Sequence, residues 1–104
     1  MIALCAFDAL AEGQARGVAQ GDLSLVLIKR EGIVYAYRNI CPHLGVELNW
    51  QPDVFLDADG QWLQCSMHGA LFEPKSGRCV FGPCRGQALT SVPLVVTDGM
   101  LYMM

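Results

Sequence analysis

Two runs rich in apolar, β-branched and aromatic residues, Leu23–Arg30 and Ile33–Arg38, dominate the hydropathy pattern of the chain. Their composition predicts strands, and Glu31–Gly32 between them predicts a tight hairpin turn. Met1–Phe7 is apolar enough for a first strand, whereas Asp8–Asp22, with three glycines and several alanines, reads as a loop or loose turn. Further along, Asp57–Gly60 is a turn signal, and Gln61–Cys65, Ala70–Glu73 and Cys79–Phe81 read as short strands. Pro74–Gly77 and Gly82–Gly86 fall between or after them as turn and loop. Ala88–Thr97 is a strand run interrupted by Pro93, which suggests an edge or bulge, and Asp98–Gly99 turns the chain into a returning strand, Met100–Met103. No stretch of a dozen residues shows a clean 3.6-residue period with caps; Asp8–Gln20 and Val46–Leu56 have room for a short helical turn at most. The pattern predicts an all-β protein of antiparallel hairpins.

Composition sharpens this picture. At 104 residues the chain is expected to be one domain, residues 1–104, with a single modest core. Apolar residues make up 53%, which excludes a disordered chain, and eleven glycines with five prolines supply the many turns a β-rich fold needs. The net charge of −3, without a basic run, argues against nucleic acid as a partner. The start of the chain has no basic region, and Asp8 interrupts its apolar run, so neither a signal peptide nor a membrane span is expected and the cytoplasm is the default. Five cysteines in a reducing compartment then point to metal or redox chemistry more than to a disulfide framework.

The candidate chemistry is concentrated in two short segments. The chain has two histidines: His43 lies two residues after Cys41, and His68 three residues after Cys65. A thiolate and an imidazole close together, repeated on a second loop, can serve one tetrahedral zinc or a two-iron cluster with two sulfurs on one iron and two imidazoles on the other. The interleaved order Cys–His…Cys–His suits the second arrangement, since a zinc finger groups two cysteines and then two histidines.

Cys41-Pro42-His43-Leu44-Gly45 and Cys65-Ser66-Met67-His68-Gly69 resemble the paired loops of Rieske iron–sulfur proteins. The resemblance continues through Ala70-Leu71-Phe72-Glu73, Ser76-Gly77-Arg78-Cys79 and Gly82-Pro83, the last belonging in that family to a third loop over the cluster. It implies antiparallel β-sheets forming a base, with a rubredoxin-like cluster-binding subdomain, about residues 39–84, inserted between strands. It also implies a [2Fe–2S] cluster held by Cys41, His43, Cys65 and His68, with the cysteines on the buried iron and the histidines on the outer one. The 21 residues from Leu44 to Gln64 are a few more than is usual in small Rieske ferredoxins, and the extra length is expected around Asp53–Gly60.

The ligand set implies an electron carrier. Two neutral imidazoles in place of two thiolates leave the oxidised core less negative and raise its potential. High-potential members carry an extra cysteine in each loop and a serine after the second; Val46, Met67 and Ala70 stand at those positions here, so a low-potential, ferredoxin-like protein is expected. The resemblance implies that it takes electrons from a flavin-dependent reductase and passes them to a terminal oxygenase or similar redox enzyme. Both histidines are used as ligands, so no mononuclear iron site for oxygenase catalysis is expected in this chain. A sensor or regulatory subunit of a redox complex and a structural zinc domain are the alternatives. Cys79 and Cys84 are expected as reduced thiols, Cys5 as core, Trp50 and Trp62 as packing residues, Asp57 and Asp59 as turn residues and Met100–Met104 as a strand end.

Overall fold

Leu25, Val26, Leu27 and Ile28 are all without solvent exposure, so the strand that carries them is covered on both faces. This follows from their order in sequence. Side chains alternate across a strand, and four consecutive apolar residues present an apolar surface to each side. The computed structural model describes residues 2–42, 45, 47–49, 55–66 and 69–104. Its elements are β1 (Ile2–Ala6), a single 3-10 turn (Phe7–Ala9), β2 (Ala15–Gln20), β3 (Leu23–Arg30), β4 (Ile33–Arg38), β5 (Leu63–Gln64), β6 (Leu71–Phe72), β7 (Cys79–Phe81), β8 (Leu94–Thr97) and β9 (Met100–Met103). They form three antiparallel three-stranded sheets, β1-β9-β8, β2-β3-β4 and β5-β6-β7.

The sheet β2-β3-β4 lies between the other two. Leu27 and Ala36 face one way and pack with Leu10 and Leu101, flanked by Leu4, Val18 and Leu94. Val26, Ile28 and Tyr37 face the other way and pack with Leu48, Phe55, Leu63 and Phe72, which belong to the segment inserted between β4 and β8. Each fully buried aliphatic side chain here is worth about 1.5–3 kcal/mol, so β3 anchors the base to both flanking sheets. Tyr37 is the large buried link to the inserted segment. Its hydroxyl donates to the Pro74 carbonyl at 2.6 Å, and burial pushes the phenol up to about 12.

The hairpin expected at Glu31–Gly32 forms with both residues in the left-handed region, the mirror-image turn that matches the twist of β3 and β4. The Glu12 carboxylate accepts from the Glu31 and Gly32 amides at 2.6 and 2.9 Å and fixes it. The turns at Asp57–Gly60 and Asp98–Gly99 form as expected, and Asp57 serves as a turn acceptor, its Oδ1 taking the Gln61 and Trp62 amides.

Three expectations change. Asp8–Asp22 is not merely a loop, because Ala15–Gln20 pairs residue for residue with Ile28–Leu23. Its Ala, Arg, Gly and Gln content carries little strand preference; the backbone ladder offered by β3 decides the conformation. Ala88–Thr97 is a strand only from Leu94 onward, the earlier part making single bridges at Ala88 and Ser91 before Pro93. Cys5 is half-buried at the margin of the second core cluster, not inside it. The possible helical turn at Val46–Leu56 falls largely outside the described residues. Among the described residues, no helix is long and apolar enough to cross a membrane.

Candidate metal centre

Cys41 follows β4 by three residues, and Cys65 follows β5 directly. Both are fully buried and lie in the same core cluster. Each begins a turn closed in the same way. The Cys41 carbonyl accepts from the Gly45 amide at 2.7 Å, and the Cys65 carbonyl from the Gly69 amide at 2.9 Å. Both glycines have positive φ, 71° and 66°, a conformation that side chains resist. The two cysteines therefore head matching turns, each closed by the same carbonyl-to-amide bond and a left-handed glycine.

His43 and His68, the two other expected ligands, lie outside the described residues, as do Val46, Met67 and Trp50. Among the described residues, no group of three or more histidine, cysteine, aspartate or glutamate side chains converges on a metal position. The donor set still fits a two-iron cluster on what is described. Two buried cysteines, each on its own glycine-closed turn, sit in one core, and each turn carries one histidine in its sequence.

The two turns are tied to each other and to the base. The Ser66 amide donates to the Leu48 carbonyl at 2.8 Å, joining the start of the second turn to the chain leaving the first. Asn39, the buried polar side chain in the described core, organises that chain. Its Oδ1 accepts from the Leu48 amide at 2.8 Å, and its Nδ2 donates to Asn49 Oδ1 at 2.8 Å and to Ser24 Oγ at 3.3 Å. One residue thus clamps both ends of the first loop to the end of β2-β3. Asn39 does not stand out in the sequence; the available signal was a side chain with both donors and an acceptor two residues before Cys41. Asn39→Ala is expected to cost about 2–3 kcal/mol, because it strips the buried Leu48 amide of its acceptor. Urea titration measures the loss, and Asn39→Asp, which keeps Oδ1, is expected to recover part of it.

A second sulfur pair stands beside the first. Cys79 and Cys84, expected as reduced thiols, stand with their sulfurs 2.8 Å apart in the buried core. Burial pushes the Cys84 thiol up from its ordinary range, and the neighbouring Cys79 and Cys41 push it the same way. Trp62 is half-buried and lines a shallow groove with Arg30, Glu73, Pro74 and Lys75.

Comparison with known proteins agrees with this geometry. The Rieske [2Fe–2S] domain model matches residues 1–96. The ferredoxin component of the alkene monooxygenase system of Xanthobacter autotrophicus is 34% identical over 96 residues, covering 92% of this chain and 74% of the relative. Cholesterol 7-desaturase of Caenorhabditis elegans is 33% identical over 81 residues, 77% of this chain, but the chain spans only 18% of that protein. Among solved structures, the ferredoxin of carbazole 1,9a-dioxygenase from Nocardioides aromaticivorans superposes with a TM-score of 0.77 at 19% identity, covering 98% of this chain and 94% of its own. That superposition shows the expected fold, antiparallel sheets with a third sheet inserted between β4 and β8. Family match, matching turns and buried cysteines together make this chain a member of the Rieske [2Fe–2S] domain family, whose cofactor is a [2Fe–2S] cluster.

Proposed function

We propose that Cys41, His43, Cys65 and His68 hold this cluster and that the chain is a one-electron carrier, passing electrons from a flavin-dependent reductase to a terminal oxygenase or similar redox enzyme. The observation that carries the reading is the pair of matching turns headed by the two buried cysteines, in a chain that covers most of the length of a ferredoxin component. The cluster supplies a single reversible electron. The chain's own residues bury the two cysteines and hold the loops together through Asn39 and Ser66. Both histidines being ligands, the chain performs no substrate chemistry of its own. Residues 1–104 form one Rieske unit with the cluster-binding subdomain at about 39–84, and a cytoplasmic location suits its reduced thiols. Ile40, next to Cys41, and Val80 and Phe81 on β7 keep apolar side chains in solvent, which suits a surface that docks transiently to partners.

Iron and acid-labile sulfide analysis is expected to give about two of each per chain, with a rhombic EPR signal on reduction. One zinc and no sulfide overturns the ligand reading. Voltammetry is expected to place the potential near the low end of the Rieske range, about −150 mV. Electron transfer from a reductase to an oxygenase, reconstituted with and without this chain, separates a carrier from a sensor: a sensor leaves turnover unchanged.

A further inference from the structure

Cys79 and Cys84 take no part in the ligand set, yet they form the tightest sulfur pair described in the molecule. Their sulfurs are 2.8 Å apart, against about 2.05 Å in a disulfide, so bond formation asks for a closure of less than an ångström. The five-residue step between them runs from β7 through Gly82 and Pro83 and back into the core, where both side chains are buried. The Cys79 amide donates to the Gln87 carbonyl at 2.9 Å and the Gln87 amide to the Cys84 carbonyl at 2.9 Å, so the backbone already holds the two residues across a closed loop. Gly82 within that loop packs directly on Ala70, the residue that follows the second turn.

We propose that Cys79 and Cys84 are a reversible dithiol–disulfide couple, oxidised by a peroxide, that closes the 79–84 loop on itself where its Gly82 packs on Ala70. As a whole residue Cys79 retains 4% exposure and Cys84 none, and the first contact with the oxidant is assigned to Cys79 on that ground. Its sulfur attacks the peroxide, the O–O bond breaks, and a sulfenic acid and one water form. The Cys84 sulfur then displaces the sulfenic oxygen as a second water. Two thiols and one hydrogen peroxide thus give one disulfide and two waters, and a dithiol reductant returns two electrons and two protons. The disulfide fixes a loop that packs on Ala70, so it slows the opening through which a chelator reaches the metal. The inference goes beyond the ligand assignment: the linkage is read by mass and stands apart from it, while the chelation rate rests on the proposed cluster.

Trypsin provides a direct readout, since cleavage after Arg78 and Arg85 releases both sulfurs in one peptide, Cys79–Arg85, with no other cysteine. The protein as isolated is reduced, desalted without oxygen, treated with a small excess of hydrogen peroxide, alkylated and digested. Most of the Cys79–Arg85 peptide is expected to be unalkylated and lighter by two hydrogens, and to return to the doubly alkylated form after reduction, while Cys5 stays alkylated throughout. The oxidised protein is expected to lose its visible absorbance to a chelator several-fold more slowly than the reduced protein, and Cys79→Ser is expected to abolish that difference. Double alkylation after peroxide, sulfinic acids in place of the link, linkage to another cysteine, or cluster loss before the link appears each overturns the proposal. So does a linked form that loses its absorbance as fast as the reduced one.

Discussion

Cys65→Ala is expected to abolish the cluster outright: iron falls from about two per chain to near none, and the visible absorbance and reduced EPR signal disappear. The expectation follows from what the fold does at this position. Cys65 is fully buried at the end of β5, its amide donates to the Ala70 carbonyl at 2.9 Å, and its carbonyl accepts from Gly69. Both backbone groups of Cys65 are committed, so the turn holds this residue in one place. Cys41→Ala is expected to behave alike, since its turn has the same construction. Cys5→Ala provides the comparison. Cys5 is half-buried on β1, at the margin of the other core cluster, and its loss is expected to leave iron content unchanged. Equal loss of iron in the Cys5 and Cys65 variants would mean that the deficit comes from general instability and would remove the ligand assignment for Cys65.

The two cysteine-headed turns were legible in the sequence because their closure is local. Cys41 and Gly45, and Cys65 and Gly69, are each four apart, and the carbonyl-to-amide bond that closes each turn needs nothing beyond that spacing. The central hairpin was legible for a similar reason: β3 and β4 keep the bounds of their β-rich runs, and Glu31–Gly32 turns between them. What sequence could not show depends on partners far along the chain. β2 has no strong strand signal of its own and becomes a strand because β3 lends it a ladder. Asn39 looks like an ordinary turn residue until Ser24, Leu48 and Asn49 are brought around it. The short strands β5 and β6 are two residues each, trimmed from longer expected runs, because in the inserted sheet tight turns and single bridges take over from the ladder on either side.

Gly82 makes the same point with a large expected effect. A Cβ at this position would stand 2.9 Å from the Ala70 Cα and 3.1 Å from its Cβ. Ala70 cannot retreat, for it is fully buried and its carbonyl accepts the Cys65 amide. Gly82 also has φ of 105°, where a side chain is strained whatever the space. Gly82→Val therefore combines backbone strain with overpacking against a backbone atom, each worth about 1–3 kcal/mol. The sum, on the order of 4 kcal/mol, is expected to lower Tm by roughly 15–30 °C in a domain of this size. Gly86→Val separates the two contributions. Gly86 has φ of 91° but no atom within 4 Å of an added Cβ, so its variant carries the strain alone and is expected to lose about half as much. Because the displaced neighbour is Ala70, Gly82→Val is also expected to speed cluster loss to a chelator, whereas Gly86→Val leaves that rate near the parent's. Equal losses of Tm and equal chelation rates in the two variants would show that the Gly82–Ala70 contact carries no weight, and that the loop after β7 sits on the second turn without supporting it.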